Sequence, residues 1–250
     1  MKFDFTDKVV LVTGAASGLG RSTAKAFANS GAKVVVSDID AEAGRATVSE
    51  MGGDALFVHA DVADPEAMHK VVDMAVERFG RLDIAYNNAG VELTPNPLAE
   101  QSLEEFDRVI AVNVLGVFHS MHAEVPAMLA SGGGVIINAG SGLGLRGIPM
   151  QSPYVASKHA VLGMTKAAAL DYAARGIRIN SVAIGVIDSP LYETAVATTP
   201  GYKERIWSRQ PNGRIGTMDE VADTVMWLAS DASSYIVGAS IVLDGGQAVT

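Results

Sequence analysis

Short β-branched apolar runs recur along the chain with helical patterns between them: Val9–Val12, Val34–Val36, Ala55–Val58, Ile84–Tyr86, Val135–Ile137, Ile179–Val182 and Ile241–Leu243. They are apolar on successive residues, as expected of strands covered on both faces and therefore of a parallel sheet. Helical patterns near 18–29, 41–51, 65–79, 103–129, 153–174 and 219–229 supply the covering layers. Gly31, Gly80 and Gly176 each end a helical stretch before a strand, where a left-handed C-terminal cap suits glycine. These patterns predict an α/β fold, a doubly wound sheet of about seven parallel strands with helices on both faces. The stretch from about Ser189 to Gly216, with Pro190, Pro200, Pro211 and Gly213, breaks the rhythm and is expected to leave the sheet as a mobile substrate lid. No repeat, low-complexity tract or linker divides the chain, so residues 1–250 are expected to form one domain.

Composition narrows the function. The 250 residues, 48% of them hydrophobic, suffice for one large core. A net charge of −9 and a pI near 5.0 argue against nucleic acid or an anionic membrane as partner, because both are repelled at long range. With no cysteine, disulfides and thiolate metal sites are excluded, and the chemistry falls to oxygen, nitrogen or a cofactor. Met1 to Lys8 carries Asp4 and Asp7 and lacks the basic-then-apolar pattern of a signal peptide. No uncharged apolar run reaches the ~18 residues of a membrane span. The expectation is a soluble cytoplasmic protein.

After the first strand comes Thr13-Gly14-Ala15-Ala16-Ser17-Gly18-Leu19-Gly20, with a helical pattern beginning inside it. Glycines there let the backbone approach a diphosphate, whose charge the free N–H groups of a helix N-terminus stabilise. The spacing, Gly-x-x-x-Gly-x-Gly, differs from the usual dinucleotide fingerprint, and such turns also arise for steric reasons alone. Asp38 ends the second strand about 20 residues on, where a carboxylate can accept hydrogen bonds from adenosine ribose hydroxyls and repel a 2′-phosphate. Neither Ile39 nor Ala15 nor Ala16 offers a cation to neutralise that phosphate. NAD is therefore expected over NADP. Asp at such a junction also caps helices, a role that suits Asp40 better.

Tyr154-Val155-Ala156-Ser157-Lys158 sets a phenol and an ammonium at i and i+4 on one helical face. A nearby cation favours phenolate, and a tyrosine whose ordinary pKa is about 10 needs such help to act as a base near neutrality. Tyr/Lys pairs at this spacing are also common on solvated helices. Ser141 follows the strand Val135–Ile137, at the edge where open α/β sheets bind ligands, and its hydroxyl can hold a substrate carbonyl; it is equally a turn serine in Gly140-Ser141-Gly142.

With Thr13–Gly20, Asn87-Asn88-Ala89-Gly90, Ser141 and Tyr154-x-x-x-Lys158 in order and at proper separations, the chain resembles a short-chain dehydrogenase/reductase over essentially its whole length. The resemblance implies a Rossmann-like single domain binding NAD(H), and hydride transfer between the cofactor and a secondary alcohol or ketone. It implies Tyr154 as proton donor and acceptor, Ser141 as the holder of the carbonyl, and Lys158 as the residue that lowers the tyrosine pKa and binds the nicotinamide ribose. Asn113, in Val112-Asn113-Val114, becomes the fourth catalytic residue, holding a water that relays protons from Lys158. Gly14, Ser17, Gly18, Leu19 and Gly20 then bind the diphosphate and Asp38 the ribose. Asp61-Val62 flank the adenine, Asn88, Ala89 and Gly90 line the cofactor cleft, and the Ile187 backbone binds the carboxamide. The family usually has Pro-Gly where this chain has Ile184-Gly185, which removes a φ constraint from that loop.

Other readings on the same scaffold are a 3-oxoacyl-carrier-protein reductase, a sugar epimerase, an enoyl reductase, which spaces its tyrosine and lysine further apart, and a catalytically silent NAD-sensing protein. His119, His122 and Glu124 lie near one another on a helical pattern, yet no partner motif completes a ligand set, and no metal is expected. Tyr192, Tyr202 and Trp207 fall in the irregular stretch and suit either lid packing or substrate contact. Ala167-Ala168-Ala169 would let a second helix approach closely. By resemblance this helix and the one at 103–129 pair subunits, and a homotetramer is expected.

Overall fold

The computed structural model describes residues 3–249; Met1 and Lys2, which begin the N-terminal stretch considered above, and Thr250 lie outside the described residues. Seven strands, β1 (Val9–Thr13), β2 (Lys33–Asp38), β3 (Ala55–His59), β4 (Ile84–Asn87), β5 (Gly134–Ser141), β6 (Ile177–Ile184) and β7 (Ser240–Leu243), form one sheet in the order β3-β2-β1-β4-β5-β6-β7. Every pairing is parallel. The chain winds outward from β1 to β3, then crosses back to place β4 on the other side of β1. That reversal opens a crevice beyond the carboxyl ends of β1 and β4, where open α/β sheets bind ligands.

Helices α1 (Gly18–Asn29), α2 (Ala41–Met51), α3 (Pro65–Phe79), α4 (Leu103–Ile110), α5 (Gly116–Ala130), α6 (Ser152–Tyr172), α7 (Pro190–Thr198), α8 (Tyr202–Trp207) and α9 (Met218–Ala229) complete the fold. Alternate side chains of β1 enter different layers: Val9 and Leu11 pack with Met68 and Val71 of α3 and Met121 of α5, whereas Val10 and Val12 pack with Phe27 of α1 and Val225 of α9. Every residue of β1 is buried, which is why the strand reads as an unbroken apolar run. Truncating Leu11 to alanine costs about 2–5 kcal/mol through lost burial and the cavity left behind. Gly80 and Gly176 take left-handed caps at φ +83 and +82, and Gly31 has φ +89, as the punctuation predicted.

Two elements differ from expectation. The helix predicted over 103–129 is a continuous rod whose middle, Ala111–Leu115, widens into a π turn between α4 and α5. Such turns recur at functional sites, and this one carries Asn113. The irregular stretch beyond Ser189 contains α7 and α8, capped by Ser189 and introduced by Gly201. Its base is closed by a parallel bridge between Ile187 and Gly216, with Asp188 donating to the Gly216 carbonyl (2.9 Å) and Gly216 to the Val186 carbonyl (3.0 Å). Among the described residues no helix is long and apolar enough to cross a membrane.

Candidate active site

The turn from β1 into α1 is shaped for close approach. Gly14 has φ +63, and a Cβ there would lie 2.7 Å from the Ala89 Cα; a Cβ on Gly20 would collide with the Gly14 carbonyl. Gly18, at φ +53, faces open space, with no atom within 4 Å of the position its Cβ would take. Ser17 caps α1 without a side-chain hydrogen bond and no acidic residue stands in the first turn, so the N-terminal N–H groups remain available to an anion. Leu19 packs into the core below. This cradle, open where a side chain would fill it and rich in free donors, fits a diphosphate.

Asn88 fixes the loop from the neighbouring strand. Its Nδ2 donates to the carbonyls of Thr13 (3.1 Å) and Gly14 (3.0 Å), while the Asn88 and Ala89 N–H groups donate to the Thr13 hydroxyl at 3.1 and 3.2 Å. The Asn87-Asn88-Ala89-Gly90 segment therefore acts first on the glycine turn. Gly90 lies against Asn113 and Lys158: a Cβ there would sit 3.3 Å from Asn113 Oδ1 and 3.8 Å from Lys158 Nζ.

Asp38 closes the far end of the crevice. Its Oδ2 accepts from the Ala16 N–H (2.8 Å) and its Oδ1 from the Asp40 N–H (2.9 Å), which leaves each oxygen a further lone pair. Asp40 supplies the cap of α2, accepting from the N–H groups of Glu42 and Ala43. The nearby cations are engaged elsewhere: Arg21 and Lys25 both pair with Glu50, and Arg45 stands 6.0 Å over the Phe57 ring. Val62 is buried, and Asp61 Oδ1 accepts from the Ala63 N–H at 2.9 Å. His119 lies 3.1 Å from the Val62 carbonyl and donates to it through Nδ1.

Ser141, Tyr154 and Lys158 converge at the carboxyl edge of β5. Ser141 is the last residue of that strand, buried, and its Oγ accepts from the Leu143 N–H at 3.1 Å. Tyr154 stands in the first turn of α6, and one turn later Lys158 places its Nζ 5.6 Å from the centre of the tyrosine ring. Lys158 is 6% exposed and donates to the Ala139 carbonyl across 2.9 Å, so α6 is tied directly to β5. Burial pushes the lysine pKa down to about 8, against the charge of Glu92, which raises it.

Burial also acts on the phenol. Desolvation holds the Tyr154 pKa well above its ordinary value and the Glu92 carboxylate raises it further, while hydrogen bonding with Ser141 works the other way. Desolvation thus disfavours the charged form of each side chain.

Asn113 is 1% exposed and its amide is fully employed: Oδ1 accepts from the Val91 N–H (2.8 Å), and Nδ2 donates to the Val91 carbonyl (3.0 Å) and to Ser157 Oγ (3.2 Å). Its side chain therefore joins the segment after β4 to α6. Ile187 is buried beyond β6, and the Ile184-Gly185 departure does not free that loop. Gly185 donates to the Leu243 carbonyl (2.8 Å), and the Ile187–Gly216 bridge holds the following residues.

The remaining polar residues separate. His122 meets His69 of α3 at 3.1 Å rather than His119, and Glu124 turns inward, wholly buried beside Asn87. Tyr192, Tyr202 and Trp207 pack on one another, with Trp207 Nε1 donating to the Tyr192 hydroxyl at 3.0 Å. Sequence reasoning missed Glu92. Its signal was only its place, two residues beyond the Asn-Asn-Ala-Gly segment.

Residues 14–248 match the protein family described as Enoyl-(Acyl carrier protein) reductase. The chain belongs to the short-chain dehydrogenase/reductase family. Members of this family similar to it include the cyclohexanol dehydrogenase of Acinetobacter sp., 48% identical over 98% of this chain and 96% of that protein. The 2,5-dichloro-2,5-cyclohexadiene-1,4-diol dehydrogenase of Sphingobium indicum is 40% identical over 97% of this chain and 98% of its own length. The crystal structure of levodione reductase superposes with a TM-score of 0.92 at 38% identity, covering 98% of this chain and 99% of the other. These short-chain relatives are oxidoreductases acting on alcohols and ketones, and the chain is an enzyme of the same kind.

Proposed function

We propose that this enzyme interconverts a secondary alcohol and a ketone with NAD(H), using Tyr154 as proton donor and acceptor. The observation that carries it is the convergence of Ser141, Tyr154 and Lys158 at the carboxyl edge of β5, beside a glycine cradle that fits a diphosphate. When bound, a nicotinamide dinucleotide supplies or receives the hydride. Gly14, Ser17, Gly18, Leu19 and Gly20 hold its diphosphate, and the remaining lone pairs of Asp38 take the ribose hydroxyls. Asp61 and Val62 flank the adenine, while Asn88, Ala89, Gly90 and the Ile187 backbone line the nicotinamide end.

The chain's own residues manage the oxygen and its proton. Ser141 Oγ–H donates to the carbonyl oxygen, and Tyr154 gives its proton to the same oxygen as negative charge develops there. In the reverse direction the phenol oxygen takes that proton back. A phenol held neutral by burial is ready to donate. Lys158, anchored on Ala139, presents its charge to the ring and to the cofactor ribose; Asn113 holds the segment that begins at Val91 against α6. Residues 189–216 form the lid over this cleft, on a single catalytic domain.

Asp38 and the engaged state of Arg21, Lys25 and Arg45 favour NADH over NADPH. The four-residue step from Tyr154 to Lys158 speaks against an enoyl reductase and Asp38 against an NADPH-linked acyl-carrier reductase, while the names of the relatives favour alcohol–ketone chemistry. Six-membered ring alcohols, named in two of the relatives, are the substrate class to try first. A cytoplasmic homotetramer is part of the same proposal. Tyr154→Phe tests the mechanism: turnover falls on the order of 10²-fold or more while NADH affinity holds. A variant that keeps most of its activity refutes the assignment.

A further inference from the structure

We propose that Glu92 sets substrate charge in this cleft, admitting neutral ring alcohols and ketones, favouring those with a second hydroxyl, and excluding anionic ones. The inference rests on the alcohol–ketone function above and names the substrate class within it.

The backbone around Glu92 is fixed and its carboxylate is not. Val91 is held at both polar groups by Asn113, and the Glu92 carbonyl accepts from Arg108 Nη2 at 2.7 Å. Among the described residues no hydrogen bond or ion pair engages the carboxylate itself. Its charge acts on Tyr154 and Lys158 of α6 and on Tyr202 of α8. Glu92 stands two residues beyond Gly90, where a Cβ would lie 3.8 Å from Lys158 Nζ, so its backbone borders the cleft of Tyr154 and Lys158. In the proposed arrangement a ring whose oxygen meets Ser141 and Tyr154 has the Glu92 carboxylate within reach. Glu92 is exposed to solvent; desolvation raises its pKa and the charge of Lys158 opposes that shift.

An unpaired carboxylate discriminates by charge in both directions. Two like charges about 7 Å apart at an effective dielectric of about 20 disfavour binding by roughly 50-fold. A hydroxyl that donates to the carboxylate gains a charge-assisted hydrogen bond, worth about tenfold. An unsatisfied charge that rejects wrong partners is a common source of specificity.

The test compares the wild type with Glu92→Gln, Glu92→Asp and Glu92→Lys on 4-hydroxycyclohexanone, 4-methylcyclohexanone and 4-oxocyclohexanecarboxylate. Ratios of kcat/KM between substrates are read, so a general loss of rate does not enter. The wild type is expected to prefer the hydroxyketone to the keto acid by roughly 100-fold or more. Glu92→Gln reduces that ratio to below about tenfold, chiefly through a lower KM for the acid; Glu92→Asp retains the ratio and Glu92→Lys inverts it. Ratios that stay level across the four proteins overturn the inference.

The same comparison is made by quenching of NADH fluorescence in the enzyme–NADH complex, with cyclohexanol against cyclohexanecarboxylate. Charge-dependent binding without turnover sinks the proposed function and upholds Glu92. Binding of neither ring overturns both.

Discussion

The side-chain amide of Asn88 donates to the Gly14 carbonyl across 3.0 Å, so the segment after β4 holds the turn after β1. A second bond from the same nitrogen reaches Thr13. Asn88→Ala removes both while leaving the glycines in place. NADH affinity is expected to weaken about tenfold, with stability lowered by about 1–3 kcal/mol for the acceptors left unpaired. Fluorescence titration alongside thermal unfolding checks this; unchanged affinity would show that the turn holds itself.

Asp38 offers a sharper test at the other end of the crevice. Asp38→Asn removes the negative charge and keeps a side-chain acceptor for the Ala16 or Asp40 N–H. The ratio of kcat/KM for NADH over NADPH is expected to fall by about 10²-fold, from weaker ribose binding and the loss of repulsion at the 2′-phosphate. A wild type that already prefers NADPH would remove the basis of this expectation.

Glu124 links stability to pH. Burial lifts its pKa to about 8, against the hydrogen bond from Asn87, where the ordinary value of an unfolded chain is 4.5. A carboxyl whose folded pKa is raised stabilises fully below the unfolded value and loses that contribution as pH rises toward 8. The loss amounts to a few kcal/mol between pH 4.5 and 8. Glu124→Gln has no proton to lose and places a donor where Glu124 Oε1 and Asn87 Oδ1 both lack partners. Its melting temperature relative to wild type is expected to be higher at pH 8 than at pH 5. Parallel stability curves would show that Glu124 does not titrate across this range.

The proposed assembly has a surface to use. Leu103, Phe106, Leu115 and Phe118 lie exposed on the α4–α5 rod, and Leu170, 82% exposed, projects from α6. Exposed apolar side chains on neighbouring helices suit a subunit contact. Light scattering is expected to give about four times the 26.0 kDa chain mass, and Phe118→Glu with Leu170→Glu to lower it. A monomeric wild type would overturn the homotetramer.

The sheet was legible because its strands are buried on both faces: Val9–Val12 and Ile136–Ile137 leave no alternation to misread. The site residues were legible as types and spacings, since Tyr154 and Lys158 need only a helix to share a face. What lay hidden depended on partners remote in the chain. The π turn at Asn113 has no compositional mark, because Val91 and Ser157, which meet its amide, are set by tertiary packing. The desolvation of Tyr154 was hidden as well, because spacing gives its proximity to Lys158 and not its burial. Two short helices after Ser189 were missed because prolines and a glycine obscure six- and nine-residue periodicities.

Ile187 and Gly216 stand side by side, so everything between them departs from and rejoins the scaffold at a single hinge line. A segment stapled in this way is an exchangeable module. It can be lengthened, shortened or replaced while the register of the seven strands beneath it need never be renegotiated.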